Sequence, residues 1–480
     1  MAAIVEASSV SRSALTLLSR KCKRILFSNC EILTRNNHTE SVSDDTYDVI
    51  ITGGGIVGTS LACALANNRR LESRKILLLE EGNKHKYEPR EQYSNRVVAL
   101  NKHTRVLLSS IQAWKHIEAV RVTPVRKMQV WDACSDAMIT FNEDHLAEEL
   151  AYIVENDLLL HAVETVLSEK KFVKVITNAK VEDISLPDGL GIHSNVRLQS
   201  GQTFRTKLLV GADGHRSRVR EAMGVKYVDW DYDQMGIVAT VQLSEPTENI
   251  VAWQRFLPTG PVALLPLTNS LSSLVWSMTT AEAKRLLKVS EEEFVDILND
   301  ALWKVHPKNG IVEGGMKALQ QLLETFQLQT GVSRQLQPSI ASIVEGSRAA
   351  FPLGFGHAVH YVQPGVALVG DAAHRVHPLA GQGVNLGFGD ISALVQVLAE
   401  AIGNGALIGD ITYLHQYESI RQWHNIPTML TIDALHRLYK GTAPPIVLAR
   451  SLGLQMANAI KPLKKFIMEH AADRGHIQKW

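Results

Sequence analysis

Three glycine-rich segments contain residue types that bind a dinucleotide, and the first directly follows a short β-rich run. This segment, Gly53–Gly58, follows Tyr47–Thr52 and has glycines at its first, third and sixth positions. Gly53 permits a tight turn, Gly55 lets the backbone approach a pyrophosphate, and Gly58 lets a helix pack on the strand. The unpaired N–H groups at the start of that helix attract phosphate. We therefore expect a dinucleotide-binding turn.

An acidic side chain completes this unit. The second predicted strand, Lys75–Leu79, ends at Glu80, 22 residues after Gly58. A carboxylate at this place can accept hydrogen bonds from ribose hydroxyls. Strand, glycines, helix, strand and acid in this order are far more specific than a lone glycine motif, although they do not separate NAD from FAD.

The second and third segments each place an aspartate just after a predicted strand. Gly211–Gly214 follows the strand at 208–210, and Gly370-Asp371 follows the strand at 366–369. A carboxylate at a strand end can hold a polyol hydroxyl. Further along the chain, Gly381–Gly383 opens a helix predicted from about Val384 to Ile402, whose free N–H groups could face an anionic ring edge.

Together the motifs resemble those of the class A FAD-dependent aromatic hydroxylases. The resemblance rests on GxGxxG at 53–58, GADGxxSxVR at 211–220 and GDAAHxxHPLAGQGxN at 370–385. It covers about Tyr47 to Met468. The third motif is most similar to that of the ubiquinone-biosynthesis hydroxylases, and among them to the mitochondrial C5-type members.

The resemblance implies an α/β fold and FAD as the cofactor. A Rossmann-like FAD-binding domain with a parallel sheet would be interrupted by a mainly antiparallel substrate sheet and followed by a C-terminal helical segment. The implied FAD-binding residues are Gly53, Gly55, Gly58, Glu80, Arg96, Val181, Asp213, Gly214, Gly370, Asp371, Gly381, Gly383, Val384 and Asn385.

Different parts of FAD are assigned to different residues by the same resemblance. The first glycines and Glu80 would bind the ADP half, and Arg96 would approach the pyrophosphate, unless it is a surface ion-pair residue. Val181 would contact adenine through its backbone. Asp213 and Gly214 would serve the pyrophosphate and a reduced nicotinamide cofactor. Asp371 would hold the ribityl chain, and residues 381–385 would border the isoalloxazine.

The expected segments alternate along the chain. They are a leader at 1–40, FAD-binding parts at 46–120, 151–230 and 351–440, substrate-sheet parts at 121–150 and 231–350, a helical insertion near 291–345, and an amphipathic helical tail at 441–480.

Short β-rich runs separated by turn signals predict the substrate sheet. They lie at 237–241, 250–256, 261–265 and 274–276, and we expect those at 130–131 and 138–141 to join them. Trp131, Trp253, Phe256 and Trp276 are candidates for lining the substrate cavity. Aromatic residues at strand spacing can equally be plain core.

The N-terminus has the composition of a mitochondrial transit peptide. Residues 1–40 contain six basic and three acidic residues and are rich in serine. Arg-rich, Ser-rich and acid-poor segments are typical of such peptides. A disordered tail is the alternative.

Composition excludes several classes of protein. The 480 residues carry a net charge of +1, so no basic field invites nucleic acid. Four cysteines exclude a disulfide scaffold. No apolar run approaches the roughly 18 residues of a spanning helix. His374 and His377 form HxxH without an evident third ligand, so we expect no metal. We expect these two residues instead to shape the segment that carries the third motif, 370–385, called the flavin loop below.

The C-terminal 40 residues are basic. Arg450, Lys461, Lys464 and Lys465 accompany an apolar stripe that includes Leu448. Such a segment can dock on an anionic membrane; an ordinary helix packed on the flavin domain is the alternative.

The resemblance also implies the chemistry. A flavin C4a-hydroperoxide formed from O₂ would hydroxylate a polyprenylated 4-hydroxybenzoate or phenol at C5, at the matrix side of the inner membrane. The electron donor would be NAD(P)H or a ferredoxin/ferredoxin reductase relay, and other ubiquinone-biosynthesis enzymes would be partners. No catalytic base can be named. The alternatives are another FAD-dependent prenyl-lipid reductase or oxidase, and a non-catalytic prenyl-binding protein.

Overall fold

The computed structural model describes most of the chain from Asp45 onward. The described residues are 45–84, 86–135, 137–142, 149–187, 192–307, 309–325, 335–460, 462, 464, 465, 467 and 468. The leader expected at 1–40 and the end of the expected tail, 469–480, lie outside the described residues.

The described residues contain twenty strands. In chain order they are β1 (Thr46–Thr52), β2 (Ile76–Leu79), β3 (Val97–Leu100), β4 (Thr123–Val125), β5 (Lys127–Asp132), β6 (Met138–Asn142), β7 (Ala151–Glu155), β8 (Val173–Ile176), β9 (Val181–Ser185), β10 (Ser194–Leu198), β11 (Thr203–Gly211), β12 (Tyr227–Leu243), β13 (Val251–Leu257), β14 (Gly260–Pro266), β15 (Leu271–Thr279), β16 (Ile340–Ile343), β17 (Ala349–Ala358), β18 (Val362–Gln363), β19 (Val366–Leu368) and β20 (His374–Arg375).

The helices alternate with these strands and then close the chain. They are α1 (Ile56–Asn67), α2 (Lys102–Ser110), α3 (Trp114–Glu118), α4 (Asn156–Ser168), α5 (Arg218–Met223), α6 (Thr280–Leu286), α7 (Glu291–Trp303), α8 (Gly310–Thr325), α9 (Gly383–Gly403), α10 (Ile411–Lys440) and α11 (Pro444–Ala459), with short 3₁₀ turns at Gly370–Ala372 and Pro378–Ala380.

A mainly parallel sheet forms the expected Rossmann-like half. Its strand order is β18-β19-β11-β1-β2-β8, with β10 paired to β11 and β9 paired to β10. β1 pairs in parallel with β2, and β11 with β19. Strands such as Ile76–Leu79 are apolar and fully buried, as parallel strands covered by helices on both faces must be. Helix α1 packs against α4 and α9.

A second, larger sheet interrupts the first. Its order is β20-β17-β12-β15-β14-β13-β5-β6, with β16 paired to β12. The pairs within it are antiparallel apart from β13 with β5. The expected α/β fold with an interrupting, mainly antiparallel sheet is therefore confirmed. A small sheet, β3-β7-β4, completes the β-structure of the described residues.

The two faces of the second sheet meet different elements. On β13, Trp253 belongs to a core cluster that includes Phe294 of α7. The next residue, Gln254, points the other way, and its Nε2 donates to the Leu379 carbonyl oxygen at 3.0 Å. Successive side chains of a strand point to opposite faces. One face is therefore covered by α6 and α7, and the other lies towards the Pro378–Ala380 turn.

The helical insertion differs from its expected form at one point. The sequence pair Gly314-Gly315 predicts a break in this insertion, yet both glycines lie within α8. A Cβ at Gly315 would lie 2.5 Å from Leu448 Cδ1 of α11. The absence of a side chain therefore lets the two helices approach closely, and this packing outweighs the low helix propensity of glycine.

The C-terminal helical segment is confirmed, and its main packing partners lie in the substrate half, while its docking on a membrane stays a prediction. Helix α11 packs on α8 and β6, which belong to the substrate half rather than to the flavin half. Arg450, one of the basic residues of the tail, is buried, and its Nε donates to Asp132 Oδ2 at 2.7 Å. It therefore adds nothing to a basic surface.

Helix α9 is longer and more apolar than its sequence pattern indicated. Its 21 residues include an 18-residue window of mean hydropathy 1.4, so the helix is long and apolar enough to cross a membrane. Two thirds of that window are buried against the rest of the protein. Burial on this scale is typical of a core helix, which is hydrophobic on most sides.

Candidate FAD and substrate site

The three glycine-rich segments meet at one edge of the parallel sheet. The Ala212 N–H donates to the Thr52 carbonyl oxygen at 2.8 Å, and the Val369 N–H donates to that of Gly211 at 2.9 Å. The ends of β1, β11 and β19 therefore lie side by side. Ligands of open α/β sheets bind beyond the carboxyl ends of their strands, so this edge is the candidate site.

The first segment leaves an open stretch of backbone at this edge. Gly53 has φ +100°, and a Cβ there would collide with the backbone of Ala212 and Asp213. Gly55 has no atom within 4 Å of an added Cβ. No described side chain caps the N-terminus of α1. Free N–H groups, the positive end of the helix dipole and open space together fit a pyrophosphate.

Glu80 links the two loops that contain Gly54 and Gly82 by hydrogen bonds. Its Oε2 accepts from the Gly54 N–H at 2.5 Å, and its Oε1 accepts from the Gly82 N–H at 2.7 Å. Each carboxylate oxygen keeps further acceptor capacity. The Glu80 carbonyl oxygen also accepts from the Ala179 N–H at 2.8 Å, which brings Val181 near this end of the site.

Asp213 uses one carboxylate oxygen within the protein and leaves the other without a partner. Oδ2 accepts from the backbone N–H groups of Arg218 and Val219, at 2.8 and 3.3 Å. Oδ1 is buried and has no partner among the described residues. Burial raises the pKa of this carboxyl, although the hydrogen bonds oppose the shift. A buried, unsatisfied oxygen beside an open backbone cradle is the observation that best fits a bound cofactor.

Asp371 accepts no hydrogen bond from any residue that the structure describes. It follows Gly370, whose φ of +59° suits glycine. The side chain of Asp371 keeps some contact with solvent. The surrounding protein nevertheless desolvates the carboxyl and raises its pKa, although the charges of His374, Arg375 and His215 act in the opposite direction. These opposing charges also show that the second and third segments come close together here.

A buried ionic network that no sequence motif indicated holds this turn from beneath. Asp390 Oδ2 accepts from the Gly370 N–H at 2.9 Å and lies 2.6 Å from His374 Nε2. Asp390 Oδ1 accepts from Arg421 Nε at 2.8 Å and from Asn425 Nδ2 at 3.3 Å. Burial alone would raise the pKa of Asp390, but His374 and Arg421 hold it at about 2. The signal in the sequence was a carboxylate within an apolar helix.

His377 anchors the flavin loop as a neutral ring. Its Nδ1 accepts from the Leu379 N–H at 3.1 Å, so the proton lies on Nε2, which is 3.4 Å from Gln234 Oε1. Burial and His436 lower the pKa of His377 to about 3. His374 and His377 thus have separate structural contacts. The described residues contain no group of three or more side chains suited to a metal ion.

The last expected segment presents backbone rather than side chains. No described side chain caps the N-terminus of α9, which begins at Gly383 and Val384. Gly381, with φ +60°, turns the chain towards it.

The amide of Asn385, which was expected at the ring, is fully used within the protein. Its Oδ1 accepts from the Asn101 N–H and from Thr104 Oγ1, and its Nδ2 donates to the carbonyl oxygens of Ala99 and Gly381. Its side chain therefore positions the loop.

The two remaining expected FAD contacts are Arg96 and Val181. Arg96 is exposed and directly precedes β3, and its neighbours Tyr93 to Asn95 line a polar cavity of about 300 Å³ with Arg121 and Glu155. Val181 is partly buried and begins β9.

Three of the four aromatic cavity candidates lie on the face of the substrate sheet that α7 covers. Trp131, Trp253 and Trp276 pack in one core cluster with Phe294 of α7. They are core, because the period of two along each strand turns them away from the flavin loop. Phe256 faces the loop side, in a cluster that includes Leu379, and stacks on Tyr439 at 3.7 Å between ring centroids.

A groove of about 420 Å³ opens beside this aromatic cluster. Its lining residues are Trp230, Asp231, Tyr232, His436, Arg437, Lys440 and Gly441. The Tyr232 and His436 rings contact the His377 ring, at centroid distances of 5.1 and 4.7 Å. The groove therefore ends against the residue that caps the Pro378–Ala380 turn.

The fold and the candidate site are those of an FAD-binding protein, and comparison with known families agrees. The family model described as an FAD binding domain matches residues 46–312 and 329–425. Among solved structures, PqsL from Pseudomonas aeruginosa, a probable FAD-dependent monooxygenase, has a TM-score of 0.62 at 20% identity over 85% of this chain and all of that one. The p-nitrophenol 4-monooxygenase PnpA from Pseudomonas putida has a TM-score of 0.63 at 19% identity over 89% and 99%. At these identities the likeness shows the fold alone.

Curated relatives narrow the class. The mitochondrial ubiquinone biosynthesis monooxygenase COQ6 of Danio rerio is 48% identical over 89% of this chain and 90% of its own length. Its counterpart in Homo sapiens is 47% identical over 90% and 93%, and that of Schizosaccharomyces pombe 34% over 92% and 95%. The chain belongs to this family of mitochondrial ubiquinone biosynthesis monooxygenases, with FAD as its cofactor.

Proposed function

We propose that this protein hydroxylates C5 of the aromatic ring of a polyprenylated 4-hydroxybenzoate or phenol in ubiquinone biosynthesis. It would use FAD, O₂ and an external electron donor. The single observation that carries the proposal is the full-length similarity to relatives named for this pathway. The uncapped helix ends and the unpaired carboxylates at the strand ends support the cofactor part.

The ADP half of FAD would lie along the first glycine segment. The α1 N-terminus and Arg96 would bind the pyrophosphate, with Gly55 giving the close approach. Glu80 would accept from the ribose hydroxyls with its remaining lone pairs, and the Val181 backbone would contact adenine.

The flavin half would lie across the two aspartate turns. Asp213 Oδ1 would gain the partner that it lacks within the described protein, and the Gly214 backbone would lie beside it. Asp371 would accept hydrogen bonds from the ribityl chain. The backbone at Gly381, Gly383 and Val384 would border the ring, held in place by Asn385.

Once bound, FAD supplies the activation of O₂, while this chain's residues bind, orient and exclude water. We place the aromatic ring of the substrate between the Pro378–Ala380 turn and the sheet face that carries Phe256. The neutral His377 keeps that turn in place. No side-chain nucleophile or metal is needed for this chemistry.

The surroundings of the enzyme form the finer part of the proposal. We place it at the matrix side of the inner membrane as a peripheral protein, after removal of a leader near 1–40. Electrons would come from NAD(P)H or from a ferredoxin and its reductase, and other enzymes of the pathway would be neighbours in a membrane-associated complex. The relatives' mitochondrial names support the compartment.

Oxygen labelling of the purified holoprotein tests the function. With a reductant, ¹⁸O₂ and a prenylated 4-hydroxybenzoate, we expect one ¹⁸O atom at C5, found by mass spectrometry of the product. Asp371→Ala serves as the low-FAD control. An oxidised or reduced prenyl lipid without ¹⁸O would instead assign the protein to the other FAD-dependent prenyl-lipid oxidoreductases.

A further inference from the structure

Helix α10 carries an apolar stripe on its solvent side. The stripe repeats every three or four residues and consists of Ile420, Trp423, Pro427, Leu430, Ala434 and Leu438. Trp423 is 85% exposed and Leu430 is 54% exposed. At 1.5 Å per residue the stripe is about 27 Å long. A single exposed leucine is ordinary, whereas a continuous exposed stripe with a tryptophan marks a binding surface.

The stripe is not the core-facing side of the helix. That role belongs to the opposite side, where Tyr417, Arg421, Asn425 and Met429 are buried. Arg421 there binds Asp390 beneath the flavin loop. Helix α10 is therefore already anchored, and its outer stripe is additional apolar surface.

The charged residues near the stripe indicate which kind of partner surface it can bind. From Ile420 to Met468 the sequence contains one carboxylate, Asp433. Asp433 is buried and pairs with Arg437 Nε at 2.7 Å. Lys440 is exposed at the end of the helix, and the carboxylate that most closely precedes the stripe, Glu418, is buried. This stretch of chain combines an apolar stripe, a tryptophan and the cationic Lys440, which complements an anionic lipid bilayer, while the exposed Asp231 of β12 lies in the neighbouring groove.

The stripe also leads to the groove described above. Its last residue, Leu438, lies between Arg437 and Lys440, which line the groove together with Trp230 and Tyr232. A bilayer against the stripe would thus lie at the mouth of a groove that ends at the flavin loop. A narrow stripe on one helix is small beside the roughly 800 Å² per partner of a stable protein interface.

We propose that the outer stripe of α10 docks this protein on an anionic bilayer and turns the groove towards the lipid. The use of the groove by a lipid-borne substrate rests on the proposed function, whereas the docking does not. The lipid contact then lies on α10 rather than on the basic tail that composition alone suggested.

Flotation of the full-length holoprotein with vesicles tests the docking. We compare the wild type with the double variant Trp423→Gln/Leu430→Gln, using phosphatidylcholine vesicles with and without cardiolipin. Because the variant loses the burial of two large apolar side chains, its binding should fall at least about tenfold even if they insert only partly. The matched control is Phe172→Gln/Ile192→Gln, at exposures of 52% and 54% away from α10, and it should bind as the wild type does.

A second measurement locates the contact directly. Brominated acyl chains should quench part of the tryptophan fluorescence, and Trp423→Phe should remove that part. Unchanged flotation of the α10 variant, or quenching that survives Trp423→Phe, overturns the proposal. So does a change of oligomeric state in light scattering without loss of lipid binding, which would make a second copy the occupant.

Turnover separates this proposal from the proposed function. With a short-chain, water-soluble substrate the α10 variant should keep its FAD absorbance and its activity, and with substrate in anionic vesicles its activity should fall. If no substrate is hydroxylated by any form, the function fails while the flotation result stands. If vesicle-borne substrate is used equally well by both forms, the link between stripe and groove fails.

Discussion

The two aspartate turns of the flavin site share a sequence signature and differ in how they are held. Both follow neighbouring parallel strands, since β11 pairs with β19. Asp213 binds the start of its own helix through Oδ2. Asp371 has no hydrogen-bond partner among the described residues, and its turn is held instead by Asp390.

This difference teaches that one motif can serve two purposes. A carboxylate that caps its own helix contributes stability and has one oxygen left for a ligand. A carboxylate without hydrogen-bond partners adds only an unfavourable desolvation energy to the protein without FAD. Other residues must therefore hold the turn that carries it. We therefore expect stability and FAD affinity to respond differently to changes in the two turns.

The largest effect is expected where the second turn is supported. Asp390→Ala should lower the free energy of unfolding by about 3–5 kcal/mol, because it leaves the buried Arg421 and His374 without their shared partner. Thermal and denaturant unfolding of the holoprotein measure it. Asp410→Ala, which removes only the side-chain cap of α10, is the control and should lose about 1 kcal/mol. Similar losses in both variants would mean that the network does not support the turn.

Gly53 packs against the backbone of the Asp213 turn, so its substitution tests how that turn is supported. Gly53→Ala adds a Cβ against the Ala212 backbone at a φ of +100°, which should cost about 2–4 kcal/mol and remove most bound FAD. Gly55→Ala is the matched control, because nothing lies within 4 Å of its Cβ. It should keep the wild-type stability and weaken FAD only. FAD absorbance per protein and the melting temperature distinguish the two, and equal stability of both variants would contradict the predicted contact.

Much of this architecture could be predicted from the sequence. The glycines, the acid at 80 and the apolar strands are local signals, and each needs only its own segment to be read. The faces of the substrate strands could not be predicted in the same way. Trp253 and Phe256 are both apolar and both buried, and only the elements packed on each face decide which one approaches the flavin loop.

Long-range pairings account for the rest. Nothing near Asp390 in the sequence indicates His374 or Arg421 as its partners, because three separate elements bring them together. The same holds for Asp213 and Asp371, whose motifs look alike although their hydrogen bonds differ. An exposed tryptophan such as Trp423 also cannot be told from a core residue until the helix is seen in place.

Asp371 should affect FAD binding and stability in opposite directions. Asp371→Ala should weaken FAD binding by about 10–100-fold, since a hydrogen bond donated to a charged group is worth about 1.5–3 kcal/mol. The raised pKa of Asp371 means that its ionised form is disfavoured in the folded protein. Removing it should therefore leave the apoprotein as stable as the wild type or slightly more stable near pH 7.

The pH dependence checks the sign of this effect. As the pH falls towards the raised pKa, Asp371 is protonated in the folded state, which relieves the folded wild type. The stability advantage of Asp371→Ala should then shrink with acidification. Titration of apoprotein with FAD gives the affinity, and urea unfolding between pH 7 and 4 gives the stability. A clear loss of apoprotein stability at pH 7 would show that Asp371 has a structural partner.

The smallest effect is expected for Asp213→Ala, which should lower the stability of the apoprotein, whereas Asp371→Ala should not. Asp213→Ala should lower the free energy of unfolding of the apoprotein by about 1 kcal/mol, because the Arg218 and Val219 N–H groups lose their acceptor while Ser217 still caps α5 through the Arg220 N–H. Removing the buried carboxylate, whose pKa is also raised, offsets part of the loss of these hydrogen bonds. Asp213→Asn keeps one acceptor oxygen and should recover part of this stability. Urea unfolding of the apoproteins, set beside that of Asp371→Ala, measures the contrast. If Asp213→Ala unfolds like the wild type while Asp371→Ala loses stability, the assignment of the two turns is reversed.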